Sequence, residues 1–124
     1  MARKFVLTAF AYAMLGMLFG IYMGVSRDFS QMDTHTHILL IGFAVSLAYA
    51  LCHTLWLSNA GKFAVVQFYV HLAATFVLLV GLFLFYGGMV GATVIGPVLG
   101  IGSIAVFIGM VLMFFMLVRY PAKA

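Results

Sequence analysis

Two histidines separated by a single residue stand at the mouth of an apolar run, Thr34-His35-Thr36-His37-Ile38-Leu39-Leu40-Ile41-Gly42-Phe43. An imidazole in hydrocarbon is costly unless it is paired or bound to something, so such a residue in a membrane segment points to function. On a helix, residues two apart are turned by roughly 200° and lie about 3 Å apart along the axis. His35 and His37 therefore reach out on nearly opposite sides at almost the same depth. That arrangement does not let one helix clamp one metal with both rings. It does offer one ring to each of two neighbouring cavities.

Other polar residues stand near this pair or deeper in the chain. Arg27 is close in sequence to His35 and His37, and either pairs with an anionic group of a bound cofactor or is a solvated arginine balanced by Asp28. His53 follows His35 by eighteen positions. Five helical turns separate them, which puts His53 on the same face about 27 Å further in and rules out a shared metal. His71, in the next apolar run, comes to a similar depth in an antiparallel hairpin. His53 and His71 then form either a second metal site or two hydrogen-bonded histidines between helices. Cys52 has no partner for a disulfide and reads as a small hydrophobe. The many Met and Phe residues read as packing.

The elements that position these residues follow from composition. Of 124 residues 67% are hydrophobic and only 6% charged, a balance that soluble domains do not show. Four apolar runs, at about 5–25, 36–57, 63–86 and 95–118, each reach the roughly 20 residues that cross a bilayer as a helix. The expected fold is all-α: one transmembrane domain over 1–124, with four helices and short loops. If the helices alternate, Arg3, Lys4, Lys62, Arg119 and Lys123 share one side and Arg27 stands alone on the other. By the positive-inside rule both termini are then cytoplasmic, in a plasma (inner) membrane. The net charge of +4 reflects that topology and not nucleic-acid binding. Asp28 and Asp33 both fall in the outer loop, which argues against a transporter driven by buried carboxylates.

Local signals refine the runs. Met1-Ala2-Arg3-Lys4 resembles the basic start of a signal peptide, but the run continues past the usual length and is expected to be a retained helix. Gly16, Gly20 and Gly24 recur at intervals of four, a stripe that lets another backbone approach, and Gly96 and Gly100 repeat the spacing. Asp33 or Thr34 is the expected cap of the second helix. Trp56 suits an interfacial belt, and Pro97 is expected at the start of the fourth helix, where its missing amide costs nothing.

The segment from His35 to Phe43 resembles the His-x-His segment in the tenth helix of the catalytic subunit of haem-copper oxidases, most closely cbb3-type oxidases and nitric oxide reductases. In that family it reads approximately His-x-His-x-x-x-x-Gly-aromatic. A fainter likeness continues through Tyr49 to His53 and through Tyr69-Val70-His71-Leu72, so it covers about the middle half of the chain. The resemblance implies that His35 and His37 ligate haem iron, with haem b as cofactor. The family subunit has twelve helices in three arcs of four, with the dihistidine on the second helix of its arc. A homotrimer of this four-helix chain would rebuild that plan, each copy giving His35 to one pore and His37 to the next. The family also needs a second metal on further histidines, and none lies near the depth of His35 and His37. The expected function is therefore one-electron transfer or redox sensing by bis-histidine haem, exchanging electrons with quinol or a periplasmic carrier. The alternative is a non-catalytic factor that handles haem or copper for respiratory oxidases.

Overall fold

The computed structural model describes residues 1–122; Lys123, counted above among the basic residues of one side, lies outside them. Four helices are long and apolar enough to cross a membrane: α1 (Ala2–Ser26), α2 (Met32–Leu55), α3 (Lys62–Tyr86) and α4 (Ala92–Arg119). They run alternately up and down. Phe5 near the start of α1 meets Tyr49 late in α2, whereas Gly16 further along α1 meets His35 early in α2. Arg3, Lys4, Lys62 and Arg119 thus gather at one end, called the basic end below, and Arg27 lies at the other.

Packing proceeds between neighbours. α1 lies on α2, and α3 lies on α4, where the close approach needs glycine. A Cβ on Gly102 would come 3.3 Å from the backbone of Leu78, which cannot give way, so any larger residue there would push α3 and α4 apart. Gly96 and Gly100, the expected small-residue stripe, face open space instead. The helix pair turns by the face that carries Gly102 and Gly109, and the stripe is left outward. α3 is the most enclosed helix, and α1 and α4 carry rows of exposed apolar side chains such as Leu18, Val25, Phe107 and Phe114, as lipid-facing helices do.

Boundaries depart from the expected ones for physical reasons. α2 begins at Met32, four residues before the expected 36, so both histidines lie within its first two turns. Neither Asp33 nor Thr34 caps it. Thr34 Oγ1 donates to Gln31 Oε1 at 2.6 Å, and Gln31 Nε2 donates to the Phe83 carbonyl at 2.9 Å, so the helix start is pinned to the end of α3 by a side-chain bridge. α2 stops at Leu55, because the next residues pair with the end of α4: Ser58 N–H donates to Tyr120 O at 2.9 Å and Ala122 N–H to Trp56 O at 2.8 Å. α4 starts at Ala92, and Pro97 is inside it. Gly91 accepts the first amides, from Val94 and Ile95, and the chain forgoes one helical bond at Pro97 to gain that extra turn.

Within α2, Ile38–Val45 is π-helical. This wider winding is rare and marks functional positions more often than chance. It separates the His35/His37 turn from the Ser46–Leu55 segment that carries His53.

Candidate functional site

The His35 ring turns toward α1. Its Nδ1 lies 3.0 Å from the Gly16 carbonyl oxygen. A carbonyl only accepts, so Nδ1 carries the proton and, in the neutral ring, Nε2 holds the free lone pair. The ring rests on Gly20: a Cβ there would stand 2.9 Å from His35 Cε1. Glycine at this position makes room for the imidazole.

His37 is anchored by the same chemistry from a different source. Its Nδ1 lies 2.7 Å from the Asp33 carbonyl, one turn back on its own helix. Here too the proton sits on Nδ1 and the Nε2 lone pair is unspent. Both rings are half-buried. The turn around Met32–His37 is stiffened by Thr36, whose hydroxyl donates to the Met32 carbonyl at 3.0 Å. Arg27 ends α1 in a left-handed conformation, φ 57° and ψ 22°, and is exposed in the loop that leads to α2. The adjoining Asp28 accepts from Ser30 N–H at 3.1 Å, and this bond holds its carboxyl below the usual carboxylate range.

The other two histidines gather around one aromatic ring near the basic end. Phe5 of α1 stacks on His53, centroids 5.5 Å apart, and lies 6.0 Å from His71. It also makes edge contacts with Tyr49 and Phe68. His71 is fully enclosed, with Nε2 2.8 Å from Ser46 Oγ and Nδ1 3.5 Å from Thr75 Oγ1. Both of its nitrogens thus have hydroxyl partners. His53 Nε2 is buried with no partner among the described residues, as are Tyr49 Oη and Gln67 Oε1. Leaving such an atom unpaired costs about 1–3 kcal/mol.

The structure therefore gathers His53 and His71 around Phe5. Among the described residues, no group of three or more His, Cys, Asp or Glu side chains is arranged to hold a metal ion. Cys52 is half-buried against the same apolar cluster. Sequence reasoning passed over Ser46 as the partner of His71, although a lone serine in an apolar run is itself a signal. It also read Gly16 and Gly20 as packing without their role beneath His35. An apolar cleft of about 470 Å³ opens beside this region between α1, α2 and α3, lined by Tyr12, Phe19, Ile38, Phe76 and Phe83 among others.

No family model, curated protein or solved structure matches this chain.

Proposed function

We propose that the chain is a haem b-binding membrane protein in which His35 and His37 supply axial imidazoles to iron. One observation supports this reading above the others: both Nδ1 atoms are tied to backbone carbonyls, and both Nε2 lone pairs are left over. Metal-ligating histidines show this arrangement almost without exception, since the second nitrogen fixes the tautomer and the ring plane. The glycine beneath His35 fits the same purpose, because it seats the ring without crowding it. Haem iron, when bound, supplies a one-electron couple, and the chain's part is to hold two imidazoles at fixed tilt in a dry surround.

The two rings leave α2 on different sides, one toward α1 and one beside its own backbone, so a single copy does not sandwich one porphyrin. A homotrimer, related to the twelve-helix plan of haem-copper oxidase subunits, lets His35 of one copy and His37 of the next share an iron. The broad exposed apolar faces of α1 and α4 are the surfaces such copies would bury. Electron transfer or redox sensing with quinol or a periplasmic partner, with the basic end and both termini in the cytoplasm, completes the proposal.

The test is the reduced-minus-oxidised absorption spectrum of the detergent-solubilised protein, with its mass and haem content. The expected result is split, sharp bands of low-spin haem, one haem per chain, and a trimer mass. Colourless protein made with ample haem would overturn the reading, and a monomer with full haem would overturn the sharing.

A further inference from the structure

The basic half of the bundle contains a second polar assembly that haem ligation does not use. Ser46, Tyr49 and His53 lie three, then four, positions apart and share one face of α2. Gln67, His71 and Thr75 lie four apart and share one face of α3. The two faces meet: Ser46 Oγ bonds His71 Nε2 at 2.8 Å, and the Tyr49 and His71 rings lie edge to face at 4.9 Å. α1 closes one side with Phe5. α4 closes another, where Gly109 takes the Gln67 Nε2 proton on its carbonyl at 3.1 Å. The ladder spans roughly 10 Å of helix. It begins at His53, two residues before α2 ends.

Three atoms of this ladder have no partner among the described residues: Tyr49 Oη, His53 Nε2 and Gln67 Oε1. Tyr49 is 3% exposed and Gln67 is fully buried, so bulk solvent does not reach either side chain directly. A membrane interior offers them no other partner, since lipid tails neither donate nor accept. Between them they present a hydroxyl, an imidazole nitrogen and an amide oxygen, with no carboxylate. That set suits neither a hard divalent cation nor a soft metal, which would need carboxylates or thiolates. It does suit water, which both donates and accepts, and which in buried sites makes about three hydrogen bonds to groups otherwise left unpaired.

We infer that the α2–α3 interface near the basic end is a built hydration site, in which ordered water bound to Tyr49 Oη, His53 Nε2 and Gln67 Oε1 connects His53 and His71 to the adjacent aqueous phase. The ladder then exchanges protons with that phase although Tyr49, Gln67 and His71 are enclosed. This inference stands apart from haem binding, which concerns the opposite end of α2.

Two measurements on the full chain in lipid bilayers test it. Solid-state NMR with magnetisation started on water, detected on histidine side-chain nitrogens, reads water contact directly. The expected result is transfer to the enclosed His71 at a rate within about threefold of that to half-exposed His37 and His53. Transfer to His37 and His53 without transfer to His71 means a dry ladder and overturns the inference. Tyr49→Phe supplies an independent sign. A hydroxyl held by water loses a bond on removal, so melting falls by a few degrees, roughly 4 °C. An unpaired hydroxyl in a dry core is a burden, and its removal would raise the melting temperature. Should the variant not fold, the wild-type NMR experiment decides.

Discussion

The two histidine pairs of this chain share one helix bundle but are held by different means. His35 and His37 are gripped by main-chain carbonyls through Nδ1, half-buried, with Nε2 unspent. Around Phe5, His71 is gripped by side-chain hydroxyls at both nitrogens, and His53 stacks on an aromatic ring with its Nε2 enclosed. The chemistry left to an imidazole depends on which atoms its surroundings have already used. Carbonyl anchoring at Nδ1 fixes ring and tautomer and leaves a ligand to give, whereas hydroxyl pairing at both nitrogens consumes the ligand and yields a structural or proton-exchanging residue.

The largest effect that could break this contrast comes from removing the rings one at a time. Under the proposed sharing of haem between copies, His35→Ala and His37→Ala should each abolish tight haem binding altogether, since each iron would draw on both positions in different copies. His53→Ala should leave the haem-to-protein ratio unchanged. Equal haem loss from both pairs, read in the Soret band, would erase the distinction between them. A sharper cut is Gly20→Ala, which leaves every ligand in place. Its Cβ would come 2.9 Å from a ring that the Gly16 carbonyl prevents from retreating. Disturbing the orientation of a ligating histidine typically costs 10–100-fold in affinity, and haem titration should show a loss in that range. Gly24→Ala, which meets nothing within 4 Å, is the control and should bind as the parent does.

How far these features were legible in the sequence differs between the two regions. Four membrane helices followed from composition and run length, because a bilayer imposes a minimum span that four apolar runs satisfy. The opposed directions of His35 and His37 followed from helical pitch alone. The anchors did not. Whether Nδ1 meets the Gly16 carbonyl depends on how closely α1 approaches α2, and that distance is set by packing of Leu39 and Ile38 over Gly16. Helix starts slipped for a similar reason. The Gln31–Phe83 bridge that draws α2 back to Met32 joins residues 52 positions apart, beyond the reach of any local cap signal. Likewise Ser46 and His71 are ordinary as single residues, and only the α2–α3 register makes them partners.

A smaller effect is expected from Ser46→Ala. It strips His71 Nε2 of its partner, and hydrogen bonds between membrane helices are worth about 1 kcal/mol. Reversible unfolding in mixed detergent should show a loss of that order, with haem content intact. Haem loss in this variant would mean that the two halves of α2 are coupled across the π-helical stretch at Ile38–Val45, and the comparison would need one site where two are drawn.

The smallest effect lies in the loop before His35 and has a definite pH sign. Asp28 is held below the usual carboxylate range first by the Ser30 backbone N–H and then by the Ser30 hydroxyl. A depressed carboxylate contributes order above its unfolded value, near about 3.9, and that contribution disappears as pH falls through the lower folded value. Neutral pH is therefore a plateau, and below about pH 4 the protection of the Ser30 amide, measured against its intrinsic exchange rate, should begin to fall. Asp28→Asn keeps an acceptor oxygen but has no charge to lose, so its exchange profile should lack that acid step. The Ser46–His71 ladder has its own titratable groups in His53 and His71, so Asp28→Asn should remove the acid step of the loop and leave the ladder's response to acid as in the parent. If the substitution also altered the ladder's response, the loop and the ladder would be coupled through α2, and the two histidine pairs would not be held independently.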